Sequence, residues 1–264
     1  MVEEEKLDKN NKEESKPEEE KKIVSEENAG EKKIEKLEGV KEVEIKESIP
    51  ESLENWQPKT KLGRDVFEGK IMDINEILDS GQRIREYEIL DKLVPNMKSE
   101  LILIGGRTGK GGGIERIPIK TTAAMHKSGR RFTFNAFVAL GNEDGLIGMG
   151  KGSALESRDA IAKATKKAKL NVIKVKRGCG SWECGCNEPH SIPFKTKGKC
   201  GSVRVELIPA PKGVGLSVDD EAKKILKLAG IKDVWIKSLG NTGARINLIT
   251  AIYNALKKLY IYEK

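Results

Sequence analysis

The chain has 264 residues, 49 of them lysine or arginine against 41 acidic, for a formal net charge of +8, with only 5% aromatic residues. That length suits one large domain or two ordinary ones, and the absence of any run of about 18 apolar residues argues against a membrane span. Residues 1–50 offer no apolar run for a signal peptide, and with four cysteines the expected compartment is the reducing cytosol, where lasting disulfides are rare. Charge is unevenly placed: residues 1–50 hold 11 lysines and 17 acidic residues, a net −6, which leaves the remainder at +14. A body this basic points to a polyanion, and so few aromatics argue against a protein that reads single strands mainly by base stacking. The competing reading is the lysine-rich, solvated surface of a heat-adapted protein.

In chain order, residues 1–54 carry repeated charged runs such as EEEK and KPEEEKK, with too little apolar surface to offset chain entropy. A disordered charged tail is expected there, with a lone charged helix over Glu31–Lys46 as the alternative. An N-terminal extension follows over 55–98. Its opening NWQPKTKLGRDVFEGKI holds too many breakers for a regular element, whereas MDINEILDSG predicts a short helix capped by Asp73 and ended by Gly81. REYEILDKLVP predicts a second short helix, stopped by Pro95.

A module over 99–177 begins with the apolar strand SELILIG. Gly105–Gly113, near Lys110, invites a phosphate-loop reading, but the Gly-Lys-Ser/Thr ending is missing and Ile114–Ile119 reads as extended, so no nucleotide site is expected. RRFTFNAFVALGNEDGLIGMGKG alternates about an N-E-D-G turn and predicts a hairpin. The following helix is expected to start at a capping box, Ser153 with Glu156, and to bury Leu155, Ile161, Ala164, Ala168 and Leu170 before NVIKVK closes the module as a strand. After a connector over 178–200, a C-terminal α/β domain over 201–264 reads strand (SVRVELIP), helix (SVDDEAKKILKLAG), strand (IKDVWIKSLG) and long helix. The last helix is expected to turn Ile246, Ile249, Ile252, Tyr253, Leu256 and Leu259 inward. The expected class is α+β.

The connector concentrates the chemistry. Cys179, Cys184, Cys186 and His190 supply three thiolates and an imidazole, a donor set that completes a tetrahedral structural site and that suits Zn²⁺, with Gly180, Gly185 and Pro189 letting the chain turn tightly. Cys200 competes as a ligand. Unmetallated buried cysteines are the main alternative; a redox pair would want C-x-x-C at a helix start, and a cysteine hydrolase would want a separated histidine and acid. Asp219, Asp220 and Glu221 sit at a helix start, where capping accounts for them, and neither Gly-x-Ser-x-Gly nor His-Glu-x-x-His occurs. No catalytic residue and no small-molecule substrate are expected, and a binding protein is the reading.

For binding, the hairpin and helix can set Lys120, Lys127, Arg130, Arg131, Lys151, Arg158, Lys163, Lys166, Lys167 and Lys169 along phosphates, the contacts by which double-stranded RNA is mainly held. Gly148, Gly150 and Gly152 would allow close backbone approach. Each lysine taken singly could equally belong to a solvated face.

SGRRFTFNAFVALGNEDGLIGMGKG, AIAKATKKAKLNVIKVKRGCGSWECGC, PHSIPFKTKGKCGSVRVELIPAPKGVGL and LAGIKDVWIKSLGNT, together with WQPKTKLGRDVFEGKI and EILDKLVP upstream, resemble the universal small-subunit ribosomal protein five family in its archaeal and eukaryotic form, over about Trp56–Tyr260. The resemblance implies a double-stranded-RNA-binding-like β-hairpin/helix domain followed by a βαβ-rich ribosomal domain. It implies a cytoplasmic, ribosomal location and a structural role in assembly, decoding accuracy and the mRNA entry channel. Implied partners are small-subunit ribosomal RNA, mRNA near the entry channel and neighbouring small-subunit proteins including protein four, the last toward Gly198–Gly215 with Arg204 and Lys212. A free RNA-binding regulator or chaperone built on the same module is the alternative. Ala124, Met125, His126 and Lys127 depart from the threonine-aspartate-serine-glycine run usual before the basic strand, and the tail up to Glu54 matches nothing in the family.

Overall fold

The computed structural model describes residues 56–108, 111–186 and 188–261. The expected tail over 1–54, its alternative helix Glu31–Lys46, and Lys110 lie outside them. Three short helices open the described chain: α1 (Lys61–Phe67), α2 (Ile74–Asp79) and α3 (Glu88–Leu93). The last two are those predicted, although Asp73 occupies the N-cap position of α2 without a side-chain cap bond. The first corrects the expectation of no regular element. Thr60 Oγ1 accepts from the Gly63 amide at 3.1 Å, and Glu86 accepts from the Thr60 amide (2.6 Å), the Lys59 amide (3.0 Å) and Trp56 Nε1 (2.9 Å), so a distant carboxylate holds the helix entry in place.

Two main sheets follow. In the first, β1 (Lys98–Leu101), β5 (Gly129–Gly141), β6 (Leu146–Ala154) and β7 (Val172–Lys174) lie in that order, and β4 (Ile119–His126) pairs with the N-terminal half of β5. The predicted strand SELILIG is half realised: Ile102 and Ile104 are buried beyond β1, and the Leu103 amide donates to buried Glu221 at 2.8 Å. A separate ribbon pairs β2 (Gly105–Thr108) with β3 (Ile114–Ile117). In the second sheet the order is β10 (Leu216–Ser217), β11 (Val234–Leu239), β9 (Val203–Pro209), β8 (Thr196–Cys200), all antiparallel except β10 with β11. With α4 (Ser157–Leu170), α5 (Asp220–Leu228) and α6 (Arg245–Ile261), the class is mixed α+β.

Helix α4 covers one face of the first sheet through small residues. Gly148, Gly150 and Gly152 step along β6 beneath Ala160, Ala164 and Ala168; two strand residues and four helix residues each advance about 6–7 Å, so the two rows stay in step. A Cβ on Gly152 would lie 2.0 Å from the Ala160 carbonyl oxygen. The close approach anticipated at these glycines is therefore to the protein's own helix. The predicted capping box is also corrected: Ser153 stays in β6 opposite Asn135, Glu156 is the N-cap residue, and Leu155, expected inside, is 78% exposed.

The opposite face of this sheet, with Phe137, Ala139, Ile147 and Met149, shares one core with Val203, Val205, Leu207, Ile225, Leu226, Ile252 and Leu256. Of the residues expected inward on α6, Ile249, Ile252, Leu256 and Leu259 are buried, Ile246 and Tyr253 half-buried. The N-E-D-G turn forms as predicted, with Asn142 Oδ1 accepting from the Asp144 and Leu146 amides at 2.9 and 3.0 Å. Its tip docks on the end of α5, where the Glu143 amide donates to the Leu228 carbonyl at 2.9 Å.

Candidate metal centre and nucleic-acid interface

Between β7 and β8 the chain doubles back. Gly178 and Ser191 exchange both backbone hydrogen bonds (2.8 and 2.9 Å), and the Gly180 amide donates to the Ile192 carbonyl at 3.2 Å. A side chain at Gly180 would meet the Pro193 carbonyl oxygen at 2.0 Å, so the strands of this bracket close only around glycine. The bracket carries Cys179 to the level of His190, and the turn between delivers Cys184 and Cys186. The four ligand atoms lie within 4.8 Å of one another, with Cys184 Sγ 3.2 Å from Cys186 Sγ, Cys186 Sγ 3.6 Å from Cys179 Sγ, and Cys184 Sγ 3.7 Å from His190 Nε2. Bonds of about 2.0–2.3 Å to a tetrahedral ion require ligand separations of roughly 3.3–3.8 Å, and the Cys186–Cys179 and Cys184–His190 separations fall in that range while Cys184–Cys186 is slightly shorter. The cysteines are unbridged.

The surroundings favour thiolate at Cys184. The Lys212 amide is the first influence drawing its thiol down to about 6, followed by the Cys186 amide and side chain. At Cys186 the Glu188 amide acts in the same direction, but the adjoining Cys184 and Cys179 sulfurs prevail and push its thiol up. Three sulfurs this close resist ionising together until a cation is shared among them. Cys200, the competing ligand, lies elsewhere, with its sulfur 4.0 Å from Asn247 Oδ1 against α6.

His190 is 4% exposed, and its Nδ1 lies 2.8 Å from Asp233 Oδ2, which leaves Nε2 for the cluster. The motif spacing does not point to Asp233, which lies 43 residues beyond His190. The available signal was one acidic residue inside the apolar run GIKDVWI, a position where burial demands a partner.

The predicted RNA-contacting residues separate into three places. Beyond Phe134, β5 pairs only with β4, so the two form a projecting ribbon bearing Lys127, Arg130 and Arg131, while Lys120 stands at its base opposite Asn135, where β6 still pairs with β5; all four are exposed. No acidic residue occurs between Glu115 and Glu143. Arg131 Nη2 donates to Ser128 Oγ at 3.1 Å, and Arg130 lies over the Phe132 ring at 4.9 Å. On α4, Arg158, Lys163, Lys166 and Lys167 are exposed, with Lys166 over the Tyr87 ring at 4.9 Å. Lys169 differs: it is half-buried and paired with Asp91 at 2.6 Å, so its charge is already met within the protein. Lys151 sits opposite Phe137, on the sheet face away from α4, and lines a cleft of about 520 Å³ with Arg83 and Lys257. A single face holding all ten is not what the fold provides. Arg204 and Lys212 stand at opposite ends of β9, and Lys212 is paired with Glu188 at 2.6 Å.

Fold and surface define a basic α+β protein with a cationic ribbon and a separate Cys/His knuckle. Residues 114–176 match the model of the ribosomal protein S5 N-terminal domain, and residues 198–264 that of the ribosomal protein S5 C-terminal domain. Small ribosomal subunit protein uS5 of Thermofilum pendens is 51% identical over 205 residues, covering 78% of this chain and 94% of its own length. The uS5 proteins of Methanocaldococcus jannaschii and Nanoarchaeum equitans are 50% and 49% identical over 208 residues, 79% of this chain and 89% of each relative. The chain belongs to the ribosomal protein S5 family, whose relatives here carry the name small ribosomal subunit protein uS5.

Proposed function

We propose that this chain holds small-subunit ribosomal RNA by backbone contacts from two surfaces, the β4–β5 ribbon and the exposed row Arg158, Lys163, Lys166 and Lys167 of α4. As a member of the uS5 family it is a structural protein of the small ribosomal subunit, located on the cytoplasmic ribosome. The observation that carries the proposal is the ribbon: three exposed cations on a two-stranded projection and a fourth, Lys120, at its base, with no carboxylate in its sequence to compete for them. Cations presented this way displace counterions from phosphates and confer affinity without reading bases.

On this reading residues 99–177 act as a double-stranded-RNA-binding-like module, approached by the extension 55–98 and joined through the connector 178–200 to the domain 201–264. Neighbouring proteins, protein four among them, and mRNA at the entry channel are the further partners, with assembly and decoding accuracy the processes served. Zn²⁺ is the proposed occupant of Cys179, Cys184, Cys186 and His190, supported by the donor set and its spacing. Its role there is structural, bracing a loop that has little apolar packing of its own.

The test is sedimentation of a cell extract at high salt, with RNA binding by the purified chain measured across salt concentrations. Co-migration with small subunits is expected, and Arg131→Ala and Lys166→Ala should each reduce the salt slope by about one unit. Migration at the top of the gradient would favour a free RNA-binding regulator, and unchanged slopes in both variants would remove the proposed surfaces.

A further inference from the structure

The Pro211–Gly215 loop joins β9 to β10 and holds almost no apolar contact of its own, yet it is tied to the cysteine knuckle at several points. Asp233 Oδ1 accepts from the amides of Gly213 (3.1 Å) and Gly215 (2.7 Å), while its other oxygen accepts from His190 Nδ1 at 2.8 Å. Lys212 Nζ pairs with Glu188 Oε2 at 2.6 Å. The main chain of Asp233 is fixed as well, since its amide donates to the His190 carbonyl at 3.2 Å and its carbonyl accepts from Ser191 Oγ at 2.5 Å. Ser191 Oγ in turn accepts from the Ala210 amide at 3.3 Å.

All three groups facing the Asp233 carboxylate are donors, and a carboxylate is the side-chain group of this size with two acceptor oxygens and no hydrogen to clash with them. An asparagine would put its NH₂ against either the loop amides or the imidazole N–H, so it could serve one side only. With the proton held on Nδ1, the lone pair of His190 Nε2 is directed at the three sulfurs.

We propose that Asp233 is a positioning residue coupling metal occupancy of the Cys179, Cys184, Cys186 and His190 site to the conformation of the Pro211–Gly215 loop, an inference that rests on reading the cluster as a metal site. Ligation of Nε2 would fix the tautomer and orientation of the imidazole, and with them the Nδ1 bond that holds the Asp233 carboxylate where the Gly213 and Gly215 amides meet it. Coupling is reciprocal: the factor by which the ordered loop tightens metal binding is the factor by which metal suppresses loop opening. Outer carboxylate partners of ligating histidines are worth roughly 10–100-fold in metal affinity, which sets the size expected on both sides.

The experiment uses the full-length chain, stripped of metal and then titrated with Zn²⁺ or Co²⁺, with hydrogen exchange followed in peptides spanning residues 210–216. One Zn²⁺ per chain should slow exchange at Gly213 and Gly215 by about tenfold or more. Asp233→Asn should weaken Co²⁺ binding by roughly 10–100-fold, alter the cobalt absorption bands and cut the loop's response to metal down to what the Lys212 amide at Cys184 transmits alone. Cys186→Ser, which leaves Asp233 and its partners in place, should show the loop exchange of metal-free wild type even with Zn²⁺ present; this holds the test open if Asp233→Asn does not fold. Zn²⁺ bound one per chain with loop exchange unchanged would overturn the coupling and leave the metal site standing. Failure of the wild-type chain to bind either ion would overturn both.

Discussion

Gly150 lies so close beneath Ala164 that a Cβ on the glycine would sit 2.2 Å from the Ala164 carbonyl oxygen and 2.3 Å from the Ala168 nitrogen. The obstacle is helix backbone, which cannot rotate aside as a side chain can. Gly150→Val should therefore force α4 off the sheet and lower stability by about 3 kcal/mol or more, at or above the upper end of ordinary overpacking. Gly111→Ala, where a Cβ would meet nothing within 4 Å, should change it by less than about 0.5 kcal/mol. Urea midpoints of the two variants check this.

Lys169 and Lys166 are three residues apart on one helix but should respond oppositely to mutation. Lys169→Met breaks a half-buried ion pair with Asp91 and leaves that carboxylate without its partner, at a cost of about 1–3 kcal/mol in stability. Its RNA affinity should keep the wild-type salt slope, whereas Lys166→Ala should lose about one unit of slope with little change in stability. Equal slopes in the two variants would show that the exposed row of α4 does not face phosphate.

How far these features could be read from sequence depended on whether the cause was local. The hairpin across Asn142–Gly145 was legible because strand alternation and turn residues coincide there, and the Cys179–His190 spacing was legible because a ligand set needs only neighbours in the chain. Helix α1 was not, because Pro58, Gly63 and Gly69 read as breakers while the group that holds the helix entry, Glu86, lies more than 20 residues away. Strand β8, Thr-Lys-Gly-Lys-Cys, carries almost no apolar signal. Its buried face is Thr196 and Gly198, and the glycine is buried because α6 rests directly on it, with the Ala251 oxygen 2.0 Å from where a Cβ would be. Lys169 looked like its neighbours because sequence does not reveal Asp91 beside it.

Glu86 should give the N-terminal extension a dependence on acid. Partial burial opposes its ionisation, but the Thr60 amide and hydroxyl, Trp56 Nε1 and the Lys59 amide outweigh that and hold its pKa below the usual 4.5. A folded-state pKa below the unfolded one means that the contribution is complete above about pH 5 and is lost as pH falls through 4.5 and below. Trp56 fluorescence should report loosening of the α1 entry over that range. Glu86→Gln should cost about 1–2 kcal/mol at pH 7 and remove this acid transition.

Metal content separates the four cysteines. Wild type and Cys200→Ser should each retain one Zn²⁺ per chain after dialysis, since Cys200 faces Asn247 and not the knuckle. Cys184→Ser should lose the ion. Trp182, 91% exposed and two residues from Cys184, supplies a fluorescence signal for the same titration. Retention of zinc by Cys184→Ser would place the ion elsewhere.

The core shared by Phe137, Ala139, Ile147 and Met149 with the C-terminal strands and helices has a consequence for how the chain is made. Synthesis delivers the first sheet and α4 well before Leu207, Ile225 and Leu256 exist. At about 5–20 residues per second the apolar face of that sheet stands uncovered for roughly 5–20 s. During that interval the nascent protein presents a greasy half-surface next to an exposed, cationic ribbon. Variants that delay elongation between residues 155 and 250 should therefore be found in aggregates even when the finished fold is undamaged.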